Sequence, residues 1–70
     1  MGYVIQLTNG NLWKNLGAES AAIFSTLENA RKTVAGFSGR GVLANPTILK
    51  LASGPIEGQR QVGGYWVREV

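Results

Sequence analysis

The segment from Phe24 to Phe37 constrains the fold more than any other part of the 70-residue chain. Its apolar residues recur at spacings of three and four, as they do along one face of an α-helix, namely Leu27, Ala30, Val34 and Phe37. An isolated helix of about three turns is only marginally stable in water. The predicted helix therefore needs a sheet, built from the flanking sequence, on which to bury this face.

Sequence signals mark both ends of this helix. Ser25 is followed three residues later by Glu28, which predicts a capping box, and Phe24 is placed to act as a hydrophobic staple. Gly36 and the glycines after it end the apolar pattern. The segment Ser38–Gly41 resembles a phosphate-binding loop in composition, but it follows a helix instead of preceding one, so the helix dipole has the wrong sign. We predict a flexible connection there.

Four other segments alternate apolar and polar residues, which predicts β-strands at Tyr3–Thr8, Leu12–Asn15, Thr47–Ala52 and Tyr65–Val70. Asn9-Gly10 predicts a hairpin turn between the first two strands. A two-residue turn pairs Leu7 with Leu12 and turns Trp13 outward, whereas a three-residue loop pairs Leu7 with Trp13 and buries the indole. We favour the second register, because the core of a small domain usually includes its largest side chain.

Together these elements predict one α+β domain, residues 1–70, with the element order ββαββ. The crossover through the helix makes the third strand parallel to the second, so that it pairs antiparallel with the first. The result is a four-stranded antiparallel sheet of order 2-1-3-4, with the helix packed on one face and the other face open. We predict that Ser53–Gly64, which holds four glycines and a proline, is a long mobile hairpin loop with its tip near Glu57-Gly58.

Composition argues against an enzyme. The chain has no cysteine, histidine or aspartate, which leaves no usual nucleophile with its base, no metal-ligand set and no cofactor motif. We therefore expect a non-enzymatic protein. No apolar run approaches the ~18 residues of a membrane span, and the first residues form a strand pattern without the layout of a signal peptide. These features favour a cytoplasmic location.

Two kinds of partner fit the predicted sheet. An apolar strip on the open face, made by Val4, Ile48 and whichever of Tyr65 or Trp66 faces away from the helix, favours a protein partner or a homodimer. Aromatic side chains with dispersed bases, in a chain of net charge +3, suit a nucleic acid instead. The candidate partner-binding residues are Val4, Gln6, Trp13, Lys14, Ile48, Lys50, Arg60, Trp66 and Arg68.

The first half of the chain resembles a recurrent pattern in small phage and prophage proteins. The matching residues are Tyr3-Val4-Ile5, Gly10, Trp13-Lys14, Ala21, Phe24-Ser25 and Ala30. This resemblance implies a phage-encoded protein in the cytoplasm of a bacterial host. It further implies stoichiometric binding to a host protein complex as an inhibitor or accessory factor, for example an anti-CRISPR or an RNA polymerase modulator. The alternative is a small basic nucleic-acid-binding module.

Overall fold

The computed structural model describes residues 2–37 and 46–70. It contains one helix and one four-stranded antiparallel sheet, which confirms the predicted α+β class. The elements are β1 (Tyr3–Gln6), α1 (Leu27–Phe37), β2 (Thr47–Leu51), β3 (Arg60–Val62) and β4 (Tyr65–Glu69). The strand order is β1-β2-β4-β3, and the element order is βαβββ. The predicted order 2-1-3-4 and the predicted ββαββ arrangement are therefore wrong.

The first difference lies at the edge of β1. The predicted strand Leu12–Asn15 does not form, and Leu12 makes only an isolated bridge to Gln6. The edge is instead shared by two short segments. The Trp13 N–H donates to the Ile5 carbonyl at 2.8 Å, and further along Tyr3 and Phe24 exchange two backbone hydrogen bonds of 2.8 Å. Backbone groups that a full edge strand would have satisfied are thus paired locally.

The second difference lies in the segment that was predicted to be a long mobile loop. Arg60–Val62 is a strand, and its hairpin with β4 turns at Gly63-Gly64, where φ is +58° and +87°. Two consecutive positive φ values define a type I′ turn, whose twist matches the flanking strands and which glycine adopts without strain. The hairpin tip therefore lies at this glycine pair and not at Glu57-Gly58.

The turn after β1 uses neither predicted register. The Leu7 N–H donates to the Asn11 carbonyl at 2.8 Å, so the loop consists of residues 8–10 and closes at Gly10 with φ +91°. Asn9 keeps a negative φ and accepts a hydrogen bond from the Asn11 N–H through its side chain at 2.9 Å. This register points Leu12 into the core and Trp13 to the face of the sheet on which Ile5 lies, where the indole is half-buried. The predicted pairing of Leu7 with Trp13 is therefore wrong.

One face of the sheet, here called the inner face, carries the main core. Its buried residues are Val4, Leu12, Leu49 and Val67, with the partly buried Ala21, Leu51, Val62 and Tyr65 packed against them. The sheet curls around this core, because groups at its two ends meet. Leu12 Cδ1 lies 3.1 Å from the position that a Cβ on Gly63 would take, and Arg60 Nη2 donates to Gln6 Oε1 at 3.3 Å. The face that was predicted to be open is therefore largely closed.

The helix lies on the outer face, against β1. Ala30 of α1 and Ile5 of β1 are both fully buried and lie outside the inner-face cluster. Leu27 and Val34 are half-buried, in agreement with the predicted apolar face, whereas the Phe37 side chain and Ser38–Gly41 lie outside the described residues.

The helix cap differs from the prediction by one residue. Thr26 Oγ1 accepts the Asn29 N–H at 3.1 Å, so the N-cap is Thr26 and not Ser25. The predicted partner Glu28 instead forms an exposed ion pair with Lys32 at 3.6 Å, one turn along the helix. A threonine hydroxyl satisfies a free amide of the first turn as well as a serine hydroxyl does, so the pattern alone left this choice open.

Candidate functional site

The outer face beyond the helix carries a cluster of cationic and aromatic side chains. Lys50 on β2 is directly opposite Arg68 on β4, and Tyr3 on β1 is directly opposite Lys50. Directly opposite residues of antiparallel strands point to the same face, so these three form one row across the sheet. Trp66 precedes Arg68 by two residues on β4 and lies on the same face in the next row. We call Tyr3, Lys50, Trp66 and Arg68 the outer-face patch.

In the described part of the chain, the two cations of the patch have no acidic partner. Within residues 2–37 and 46–70 the ion pairs are Arg60 with Glu69 at 3.5 Å and the helical pair of Glu28 and Lys32, and neither includes Lys50 or Arg68. Glu69 and Arg60 both belong to the inner face, since they pair with Leu49 and Val67. Like charges directly opposite each other on neighbouring strands destabilise a sheet. The Lys50–Arg68 pair therefore brings no benefit to the fold.

A cleft of about 210 Å³ opens beside this pair. Lys50 and Arg68 line it together with the connection that leaves β2 and with Gln59. Ser53 is exposed and contributes a hydroxyl. The Gln59 side-chain amide makes no hydrogen bond to the described residues, and its Oε1 is buried and unsatisfied. The two cations, the hydroxyl and the N–H groups of the Gln59 amide can all donate to a bound anion, whereas the Gln59 Oε1 can only accept.

Trp66 is held in place by a glycine. A Cβ on Gly54 would lie 2.4 Å from Trp66 Cδ2 and 2.5 Å from Cγ, so the backbone approaches the indole more closely than any side chain would allow. The Trp66 carbonyl also accepts the Ala52 N–H at 2.9 Å. The ring is half-buried and lies close to the cleft, because the position of a Cβ on Gly54 is near both the indole and Gln59 Oε1, and Gln59 lines the cleft. Its position is fixed before any ligand arrives.

The structure brings together three of the nine sequence-predicted site residues, namely Lys50, Trp66 and Arg68. Ile48 lies on the same outer face and is half-buried. Val4 is fully buried and pairs with Leu49, so it points away from Ile48. The predicted apolar strip that joined Val4 to Ile48 therefore does not exist. The prediction was wrong because it assumed which residues of β1 and β2 share a face, and that depends on the register between the two strands.

The other predicted residues lie apart from the patch. Gln6 and Arg60 are on the inner face, where they hydrogen-bond to each other. Arg60 belongs to β3 and not to a mobile loop. Trp13 is half-buried and stacks on Phe24, with ring centroids 6.0 Å apart and an interplanar angle of 18°. Lys14 is exposed on the segment after it.

Sequence reasoning missed Ser53, Gly54 and Gln59, because the whole of Ser53–Gly64 was predicted to be mobile. One signal could have corrected this. Gly63-Gly64 stands between Val62 and Tyr65, and a glycine pair between two apolar strand residues is a type I′ hairpin signal. A strand ending at Val62 leaves a shorter segment, close to β2, in which ordered site residues are expected.

A second, larger concavity of about 690 Å³ lies at the mouth of the curled sheet. It is bounded by residues 7–14 and 19–21 and by the Gly63 turn with Tyr65. Its two charged side chains, Lys14 and Glu19, have opposite signs and are both exposed. This balance favours no particular class of ligand, in contrast to the smaller cleft.

No protein-family model, no curated protein and no solved structure matches the chain. The resemblance to small phage proteins therefore stays a prediction. Within residues 2–37 and 46–70, no helix combines the length and hydropathy needed to cross a membrane. In the same part of the chain, no three His, Cys, Asp or Glu side chains gather as a metal site would require.

Proposed function

We propose that this chain is a non-enzymatic binding protein that holds single-stranded nucleic acid on its outer-face patch. The observation that carries the proposal is the Lys50–Arg68 pair, two cations that are directly opposite each other and form no ion pair with an acid of the described residues. Proteins that bind single strands combine cations that follow the phosphates with aromatic rings on which bases stack. Trp66, held by Gly54, supplies a ring next to this pair.

The same surface favours a single strand over a duplex. One half-buried indole beside a cleft of about 210 Å³ can stack only with a base that is free of its complement. A double helix would present a phosphate backbone to Lys50 and Arg68 but no base face to Trp66. Stacking contributes roughly 1–3 kcal/mol per base. A duplex, which cannot stack a base on Trp66, should therefore bind more weakly than a single strand.

A protein partner now has less support than the sequence suggested, because Val4 is buried. The large apolar side chains that remain strongly exposed lie on different segments: Leu16, Ile23, Ile56 and Val70. Single exposed apolar residues are normal on protein surfaces and do not form a docking patch. Action on a host protein complex rests on the resemblance alone and stays a prediction.

The first test is fluorescence polarisation with labelled single-stranded DNA and RNA. For single strands, the logarithm of the binding constant falls with a slope of about −0.7 per phosphate contacted, so two contacts give about −1.4. Raising the salt from about 50 to about 200 mM should therefore weaken binding about sevenfold. Lys50→Gln and Arg68→Gln should each weaken binding and flatten this slope, whereas the matched control Lys14→Gln should change neither.

Indole fluorescence gives an independent measurement. In a Trp13→Phe variant the remaining emission comes from Trp66, and a stacked base should quench it on titration with oligonucleotide. A Trp66→Phe variant should bind more weakly and show little quenching. If no single strand binds at low salt, or if Lys14→Gln weakens binding as much as Lys50→Gln does, the proposed function is wrong.

A further inference from the structure

We infer that the cleft beside the Lys50–Arg68 pair is a site for a phosphate monoester, the group carried by a phosphorylated strand end. This inference rests on the proposed function and specifies which part of the nucleic acid the cleft takes. The shared chemistry is a terminal phosphate, which a strand, a mononucleotide and inorganic phosphate all offer. An internal phosphodiester of a continuous strand is the alternative that the site disfavours.

Charge is the first reason. The cleft presents two cations, and none of the ion pairs among residues 2–37 and 46–70 includes either of them. A phosphodiester carries one negative charge, whereas a monoester carries about −1.5 to −2 at neutral pH. A monoester therefore matches Lys50 and Arg68 together and removes the repulsion between them. A diester would leave about one positive charge uncompensated.

The chemistry of the cleft is the second reason. Arg68 offers a planar fork of N–H donors, and Lys50 offers a compact ammonium. Ser53 adds a hydroxyl, and the Gln59 amide adds N–H groups that donate to nothing in the described part of the chain. A monoester presents three terminal oxygens to these donors, whereas a diester presents two.

Size is the third reason. The cleft holds about 210 Å³, which is below the range of roughly 300–1,000 Å³ typical of sites for whole small molecules. It accommodates a phosphate group but not a complete nucleotide. The sugar and base would leave the cleft on the side of Trp66, which lies two residues from Arg68 on the same face. In this arrangement the terminal phosphate binds in the cleft and the first base stacks on the Trp66 indole.

The wild-type protein can be tested directly by ¹⁵N NMR titration with inorganic phosphate. The backbone amides of Ser53 and Gln59 and the Gln59 side-chain amide should shift in a saturable manner, while the amide of Lys14 should not move. Adenosine 5′-monophosphate should shift the same signals at lower concentration than inorganic phosphate does, because its base reaches Trp66. Adenosine should leave the cleft signals unchanged. If no saturable shift at Ser53 or Gln59 occurs with either phosphate, the inference is wrong.

The strand-end preference is tested with oligonucleotides of one sequence that carry a 5′-phosphate, a 3′-phosphate or hydroxyls at both ends. One of the two phosphorylated forms should bind about tenfold more tightly than the hydroxyl form, as expected for an additional charge-assisted hydrogen bond. Lys50→Gln and Arg68→Gln should abolish this preference, Arg68→Lys should retain part of it, and Lys14→Gln should retain all of it. Circular dichroism of each variant establishes that it is folded.

The outcomes separate the two proposals. If all three oligonucleotides bind equally and lose affinity together in Lys50→Gln, the strand-end inference is wrong and the proposed function stands. If no oligonucleotide binds but inorganic phosphate still shifts Ser53 and Gln59, the proposed function is wrong and the monoester site stands, with a free phosphate as its ligand.

Discussion

Replacing Lys50 by glutamate should make the protein more stable and abolish its binding. Lys50 and Arg68 are directly opposite on β2 and β4, so the substitution changes a repulsive cross-strand pair into an attractive one. An opposite-charge pair in this geometry contributes roughly 0.2–1 kcal/mol, and removal of the repulsion adds to that figure. Because Arg68 is exposed and screened by solvent, we expect a net gain of about 1 kcal/mol. In a domain of this size that gain raises the melting temperature by about 4–8 °C.

The measurement is thermal and urea unfolding of Lys50→Glu beside Lys14→Glu, which changes the net charge by the same amount at an exposed position without a cross-strand partner. The control should stay within about 0.5 kcal/mol of the wild type. The gain in Lys50→Glu should shrink near 1 M salt, where the screening length falls to about 3 Å. If Lys50→Glu is no more stable than Lys14→Glu, the two side chains do not face each other. If it is stabilised and still binds single strands, the patch is not the binding surface.

Three further substitutions test the fold that positions the patch, each by urea unfolding. Thr26→Ala should cost about 1 kcal/mol through loss of the helix cap, whereas Ser25→Ala should cost less than about 0.5 kcal/mol; equal costs would contradict the assigned cap. Gly54→Ala should cost about 1–3 kcal/mol and change the emission of Trp66, because the new methyl group overlaps the indole; unchanged stability would show that the ring is not held there. Leu49→Ala should cost about 2–5 kcal/mol, comparable to the whole stability of so small a domain, and a variant that stays folded with a small loss would place Leu49 outside the core.

The elements that the sequence predicted well are those with local signals. The helix, β1, β2 and β4 all lie where the apolar spacing placed them, each with one end as predicted and the other shifted by one to three residues. Tyr65 and Trp66 point to opposite faces, as alternation requires. The capping prediction failed by one residue, because Ser25 and Thr26 are adjacent and both residue types cap helices. Such choices depend on the angle at which the chain enters the helix, which no local pattern encodes.

The long-range features could not be predicted in the same way. The curl of the sheet depends on contacts between residues far apart in sequence, such as Leu12 with the Gly63 turn and Gln6 with Arg60. The register at Leu7 depends on a left-handed Gly10 that closes a three-residue loop, and Asn9-Gly10 is compatible with several loop lengths. A shift of one residue in register moves every side chain of a strand to the other face. The register therefore also determines which predicted site residues are exposed.

The curl explains why the proposed binding surface lies on the outer face. A flat four-stranded sheet with one helix leaves its second face free for a partner, and Val4 would then lie at the surface. When the sheet closes around Val4, Leu49 and Val67, that face becomes core, and its charged rim residues Arg60 and Glu69 pair with each other. Among the described residues, the helix packs on the outer face mainly against β1. On the part of that face formed by β2 and β4, the cations form no ion pair within the described residues, and this is the side from which the proposed single strand would approach.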